Sequence, residues 1–430
     1  MNERVLIFFE GPGLAQFWPL CVSRPPYLLR CGATMLYEKW VRRLRPARVS
    51  FSCRPELHAV VAKRTGCPVN QPVREGEVDI WVLDGRWLPL LPASLDFDQV
   101  PEECCLQCVG RTVGLRFRGT NTVLLEQVNK AIASGGDRWV EAYLPQAEVS
   151  GTVVEYLWDI VDENSKQIEM DFALLGDGGP AKWPVDAVDQ AAVVLRPERV
   201  RIGLQTEVGP QVVLDARGGP IILGRDVVIN PHSYIEGPAV VGDGSRIYGG
   251  KIRAGTTIGP VCRIGGEVEN SVFLGYANKY HDGFIGHCVV GEWVNLGALT
   301  TNSDVKNNYH PVRVEFPHET VDTGRIKVGA FLADHTKTGI GTLLPTGGTV
   351  GFGSNIFGGG TVGPRMVPEF TWMGGGTCAE YRPAEAKHTA SAMCNRRNVD
   401  FSDDDARVFD IVFEKSKPYR DAFLAARGRV

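Results

Sequence analysis

Residues 278–297, NKYHDGFIGHCVVGEWVNLG, carry more groups able to bind or move a proton than a purely structural segment needs. The segment holds two imidazoles, His281 and His287, and an imidazole is the side chain suited to taking a proton from a nucleophile near neutral pH. The Asn295 amide can donate to a developing oxyanion. Lys279 offers a compact positive charge of the kind that meets phosphate. Asn302 and Lys306, in TNSDVKNNYH (301–310), continue the polar string. A second set lies near the start of the chain. FFEGPGLAQF (8–17) places Gly11 and Gly13 after an apolar run, and glycine loops let backbone N–H groups approach phosphate. VLDGRWLP (82–89) holds Asp84 and Arg86 after another apolar run, and Arg24 and Arg30 add further cations.

The elements that must position these residues fall into two regimes. Up to about residue 175 the pattern is α/β. RVLIFF (4–9) and VDIWVLDG (78–85) read as strands. TMLYEKWVRRL (34–44) sets Met35, Leu36, Trp40, Val41 and Leu44 at helical spacing. NTVLLEQVNKAIASGG (121–136) opens on an Asn121 cap and places Leu124, Leu125, Val128 and Ile132 on one face. Alternating strand and helix signals predict a mainly parallel sheet covered by helices. LLGDGGPAKWP (174–184) reads as a linker.

From about 198 to 366 a period of six replaces helical spacing. Leu223, Ile229, Ile235, Val241 and Ile247 are six apart; Ile252, Ile258 and Ile264 follow after one five-residue step, and Val350, Ile356 and Val362 repeat the spacing. Glycine follows many of them, at 224, 242, 259, 265, 351 and 363. Such a repeat predicts a β-solenoid. Each hexad supplies one short strand and one corner, the aliphatic residue fills a thin prism, and the small residue fits a corner without room for a side chain. Three hexads close one triangular coil, and coils stack by strand pairing. NSDVKNNYHPVRVEFPHETVDTGRI (302–326) interrupts the repeat as a loop thrown out from a corner. FSDDDARVFDIVFEKS (401–416) returns to helix, with Ser402 and Asp405 forming a capping box ahead of Val408, Ile411 and Val412. The expected domains are therefore 1–185, 198–380 and a helical tail, 381–430.

Composition sets the outer limits. The chain has 430 residues, 43% of them apolar and 22% charged. Those fractions are ordinary for a globular protein. A net charge of -4 gives no ground for nucleic acid as a partner. No apolar run reaches the length of a membrane span, so no membrane insertion is expected. The apolar run at 4–9 is too short for a signal peptide. Eleven cysteines, an odd number, favour reduced thiols in a cytoplasm. CCLQC (104–108) contains a Cys-x-x-Cys but lacks the second pair that a zinc site requires, so buried thiols are the favoured reading.

Three long strings carry a family resemblance: SRPPYLLRCGATMLYEKW (23–40), GGEVENSVFLGYANKYHDGFIGH (265–287) and GEWVNLGALTTNSDVKNNY (291–309). With the α/β-then-hexad order, they resemble the bifunctional UDP-N-acetylglucosamine pyrophosphorylase/glucosamine-1-phosphate N-acetyltransferase-like family, in particular a divergent bacterial subgroup of sugar nucleotidyltransferases. The resemblance implies an α/β nucleotidyltransferase-like (Rossmann-like) domain, then a left-handed parallel β-helix and a helical tail. It also implies a cytoplasmic homotrimer in a cell-envelope sugar pathway, with acetyl-CoA as co-substrate.

In the first domain the family pattern is a G-x-G-T-R loop, a later lysine, and a magnesium-binding aspartate after a strand. Here Gly11 and Gly13 are kept, but Leu14-Ala15-Gln16 stands where the family has Thr-Arg. The lysine position falls near Tyr27, and Arg86 occupies the aspartate position with Asp84 two residues earlier. Arg24, Arg30 and Arg86 are the candidate nucleotide contacts and Asp84 the candidate Mg2+ ligand. Two readings stand for this domain: sugar-1-phosphate nucleotidyl transfer, or binding of a sugar nucleotide without catalysis.

In the second domain the family's GHLTYLGD aligns with YHDGFIGH (280–287), which puts the general base at His281 and replaces the family tyrosine by Phe284. Asn295 matches a family asparagine, and another falls near Asn302. The implied reaction is acetyl transfer from acetyl-CoA to an amino-sugar phosphate or sugar nucleotide, with Lys279, Asn302 and Lys306 toward the substrate. Arg396 and Arg397, a lone basic pair, are read as surface.

Overall fold

A computed structural model describes residues 4–76, 79–90, 100–136, 140, 143–174, 186–360 and 363–427. The described chain forms two compact units. One holds Met1–Phe17, Ser23–Leu29 and Thr34–Tyr156; the other holds Trp18–Val22, Arg30–Ala33 and Leu157–Val430. Val78, Val362 and the linker stretch from 175 onward lie outside the described residues.

The first unit is built on six strands: β1 Arg4–Phe9, β2 Arg48–Phe51, β3 Asp79–Asp84, β4 Cys104–Cys108, β5 Arg111–Phe117 and β6 Gln146–Glu148. Their order across the sheet is β2-β1-β3-β5-β4-β6. β1 is parallel to both neighbours, with Leu6 opposite Val49 and Trp81. Such a central strand is covered on both faces, so it reads as an unbroken apolar run. Ile7 and Phe9 face helix α2 (Thr122–Ala133) through Val128 and Ile132, while Phe8 meets Tyr37 and Phe51 on the other side. Helix α1, Leu36–Leu44, buries Leu36, Trp40 and Leu44, one residue per turn. Trp40 lies 3.9 Å from Trp87 and donates its indole N–H to the Trp87 carbonyl at 2.7 Å. Asn121 caps α2 by accepting from the Leu124 amide.

The expectation of a mainly parallel sheet is corrected in one half. β5 runs antiparallel to β3 and to β4. β4 and β5 are joined by Val109 and Gly110, both at positive φ, 51° and 72°. So short a connection makes a hairpin rather than a crossover.

The second unit is a parallel β-helix with three columns of short strands. One column runs through 200–202, 221–223, 239–241, 256–258, 272–273, 289–290, 331–332, 349–350 and 366–367. Strands on each face pair in parallel with the coil before and the coil after. The hexad residues Leu223, Ile229, Ile235, Val241, Ile247, Ile252, Ile258 and Ile264 all enter one buried core. The glycine rule is steric: a Cβ on Gly259 would lie 2.2 Å from the Leu274 carbonyl of the next coil.

One row of corners carries rings in left-handed backbone: Tyr276 (φ 53°), Trp293 (60°) and His335 (61°). Tyr276 and Trp293 stack at 4.3 Å, and Phe409 of the last helix sits 4.9 Å from the His335 ring. Three helices complete this unit: α3 Leu157–Leu174, α4 Pro383–Asn395 and α5 Asp403–Ala426. On α3, Asn164 accepts from the Gly32 amide and donates to the Gly255 carbonyl. On α5, Ser402 and Asp405 form the expected capping box. The loop expected at 302–326 is present and contains its own hairpin, Arg313–Glu315 against Thr320–Asp322. Arg325 ties it to Asp159 and Asp162 of α3.

Candidate functional site

Asp84 ends β3 at the C-terminal edge of the parallel strands, where α/β sheets commonly bind ligands. Its carboxylate is engaged by Arg86 three times: the amide and Nε donate to Oδ1 at 2.8 and 3.0 Å, and Nη2 donates to Oδ2 at 2.6 Å. Both residues are buried. Gly11 and Gly13 have φ of 76° and 79° and form the turn that rests on this pair. A Cβ on Gly11 would lie 2.8 Å from Asp84 Oδ1 and 2.9 Å from Arg86 Nε. Beside the loop, Arg54 bridges to buried Glu10 at 3.1 Å. Burial pushes the Glu10 carboxyl up to about 7, and Arg54 offsets only part of that rise.

These residues do not fit a divalent cation. Both Asp84 oxygens already accept from a guanidinium, and a metal placed there would face that positive charge. Among the described residues no three His, Cys, Asp or Glu come together as ligands. The metal role expected of Asp84 is thus corrected: an internal arginine stands against the carboxylate instead. The three arginines have different surroundings. Arg86 meets the glycine loop, Arg24 is buried, and Arg30 lies in the other unit and donates to the Ala33 carbonyl at 2.6 Å. The thiols of Cys104 and Cys108 donate to different carbonyls, Pro101 and Gly151.

On the β-helix, His281 stands exposed at a corner, its ring 4.9 Å from Tyr280. Lys279 does not meet solvent, as expected of a phosphate contact. It pairs in register with core residue Ile264 and is only 2% exposed. Its ammonium donates to the carbonyls of Gly265 (2.9 Å) and His281 (2.8 Å), so it braces the corner that carries the histidine. Burial pushes its pKa down to about 8, with Asp282 opposing weakly. Asn302 is corrected in the same way. It pairs in register with Leu344, accepts from the Gly286 amide, and donates to the Gly286 and Ser303 carbonyls. Those two bonds use both amide hydrogens.

Lys306 lies in the loop, where its ammonium donates to the Pro311 carbonyl at 2.8 Å. It lines a cavity with Asn307, Asn308 and Arg365 that contains neither histidine. Asn295 lines a different cavity, with Asn278, Lys337 and Arg397. Lys306 and Asn295 thus line different cavities, and His281 lines neither of the two. Reasoning from sequence missed the pairing of His287 with Asp304, at 2.8 Å between Nδ1 and Oδ2. The signal was present, since 17 residues is the length of one coil in this region.

Residues 6–179 match the family described as "Sugar nucleotidyl transferase". The chain is 39% identical over 119 residues, 26% of its own length and 25% of the relative's, to "Bifunctional protein GlmU" of Acidithiobacillus ferrooxidans. It is 35% identical over 80 residues (18% of this chain, 20% of the relative) to the "Bifunctional sugar-1-phosphate nucleotidylyltransferase/acetyltransferase" of Sulfurisphaera tokodaii. It is 27% identical over 166 residues (38% and 70%) to the "Uncharacterized acetyltransferase YaiX" of Escherichia coli O6:K15:H31. The chain spans a quarter or less of the length of the first curated relatives it matches. A segment that matches the sugar nucleotidyl transferase family thus stands ahead of a parallel β-helix, and parts of the chain are similar to GlmU bifunctional proteins.

Proposed function

We propose that the chain is a transferase that moves an acetyl group from acetyl-CoA to the amine of an amino-sugar phosphate or sugar nucleotide. The observation that carries this is His281, an exposed imidazole on a corner whose backbone is braced from inside by Lys279. In the reaction the amine attacks the thioester carbonyl carbon, the C–S bond breaks and the coenzyme leaves as its thiol. A proton must leave the amine during attack, and His281 takes it. Asn295 and Lys306 line separate cavities; on the family resemblance, a second copy of the chain completes the site, in a cytoplasmic homotrimer.

The N-terminal domain recognises the sugar nucleotide or its phosphate through the Gly11–Gly13 loop. The Asp84–Arg86 pair favours binding over metal-dependent nucleotidyl transfer there, since the carboxylate is already occupied. Thiol release from acetyl-CoA with glucosamine 1-phosphate, followed alongside pyrophosphate release from UTP with the same sugar, tests both halves. Thiol release without pyrophosphate release is the expected result. Pyrophosphate release alone would overturn the assignment.

A further inference from the structure

Outward residues on one face of the β-helix stack in register over successive coils: Arg263, Asn278, Asn295, Lys337 and Asn355. Paired strands lie ~4.8 Å apart, so these side chains make one polar stripe roughly 20 Å long. Helix α4 and the residues after it close over the middle of the stripe. The space between is a cavity of about 280 Å³ that takes in Asn278, Asn295, Lys337, Arg396 and Arg397, with Trp293 as a wall.

Three cations reach this cavity, and no aspartate or glutamate lines it among the described residues. The donors are not spent. Lys337 gives one hydrogen to the His335 carbonyl at 2.8 Å. An ammonium has three, so two remain. Asn278 donates to Asn295 Oδ1 at 2.6 Å. That leaves Asn295 both its amide hydrogens and Asn278 its oxygen. The Nε of Arg397 is buried without a hydrogen-bond partner, as is the Nδ2 of Asn355, the next residue along the stripe outside the cavity lining. A neighbouring cation of the stripe, outside the cavity lining, feels this charge. Arg263 is held below the usual arginine range by burial and then by the charges of Arg397 and Arg246. Burial pushes Lys337 down to about 8. Buried donors and like charges without a counter-charge are unfavourable, and an anion held among them relieves both terms.

We propose that this cavity binds the phosphate of a phosphate monoester or diphosphate. Lys337, Arg396 and Arg397 hold the phosphate, and the Asn278–Asn295 pair meets hydroxyls of the group it is attached to. Guanidinium and ammonium donors make charge-assisted bonds to phosphate oxygens, and amides serve hydroxyls as both donor and acceptor. The site does not need His281 to move a proton, although it shares Asn295 with the proposed acetyl-transfer site. Two sources carry the chemistry: a phosphorylated sugar, and the phosphorylated adenosine end of a coenzyme.

The test is calorimetric titration of the full chain with pyrophosphate, glucosamine 1-phosphate and adenosine 3′,5′-bisphosphate. At least one probe should bind, with affinity falling as salt rises, and the probe bound most tightly identifies the source. Arg397→Gln and Arg396→Gln should each weaken that binding by about tenfold or more. Arg396 is exposed, so its variant keeps the test independent of folding. Binding of a probe by the N-terminal unit would be untouched by either substitution. The proposal is overturned if no probe binds the wild-type chain, or if all binding survives both substitutions unchanged.

Discussion

His287 Nδ1 lies 2.8 Å from Asp304 Oδ2, although 17 residues separate them, because one corner of the β-helix rests on the next. The contact fixes one imidazole nitrogen and leaves Nε2 free of it. Burial pushes the Asp304 carboxyl up, but the hydrogen bond and charge of His287, with help from Lys327, hold it below the usual range. The chain thus has two histidines on neighbouring corners, one oriented by a carboxylate and one exposed.

Single substitutions separate them. His281→Ala should lower kcat/KM for thiol release by about 10²–10⁴-fold, the range of a lost general base. His287→Ala and Asp304→Asn should lower it less than about tenfold, through the placement of the loop that follows Asp304. The reverse ranking, read by the same assay, would move the base to the His287–Asp304 pair.

Arg86→Ala removes the hydrogen-bond partner that the Asp84 carboxylate has among the described residues and leaves a charge in the sheet edge. The loss expected is about 3–5 kcal/mol, measured by urea denaturation. The double variant Asp84→Ala/Arg86→Ala should lose less than the sum of the two single variants, because neither charge is then stranded. Additive losses would show that the pair is not coupled.

Lys279 gives stability a pH signature. Its folded pKa is about 8 against an ordinary value of 10.5. Between these values the unfolded chain binds more protons, so stability rises with pH. Below pH 8 the folded state carries the full penalty of a buried ammonium. Compared with Lys279→Met, the wild-type chain should therefore gain up to about 3 kcal/mol between pH 7 and pH 11. Denaturation curves of both proteins at several pH values check this, and a constant difference would contradict the burial of the ammonium.

Corner glycines should differ by position. Gly259→Ala would force a methyl to 2.2 Å from the Leu274 carbonyl. The expected destabilisation is about 2 kcal/mol or more. At Gly363 an added methyl would meet only a methionine methyl, 3.7 Å away. Gly363→Ala should therefore stay within about 0.5 kcal/mol of wild type. Equal losses in denaturant titrations would argue against steric exclusion as the reason for the repeat.

The parts legible in sequence were those set by local pattern. Ile247 and Ile264 follow the hexad and are fully buried, and the Ser402–Asp405 capping box lies within one helical turn. What escaped depends on register. Lys279 reads as a surface charge, yet pairing with Ile264 turns it inward, and only the carbonyls of the corner make that tolerable. Asn302 is turned inward by the same stacking. Arg396 and Arg397 look like an isolated basic pair until α4 brings them to Asn295, about a hundred residues earlier in the chain. The Asp84–Arg86 pair is close in sequence, but its meaning comes from the strand end on which it stands.

Finally, Val289 pairs directly with Phe331 and Val290 with Leu332, although the chain makes its long excursion, hairpin included, between them. The stack of coils closes beneath that excursion without a change of register. Because a longer loop adds little closure entropy, the segment can be exchanged for one of different length or chemistry while the coils on either side keep their partners. The β-helix is in this sense a rack with an interchangeable fitting, and new surface chemistry can be acquired there without redesign of the prism.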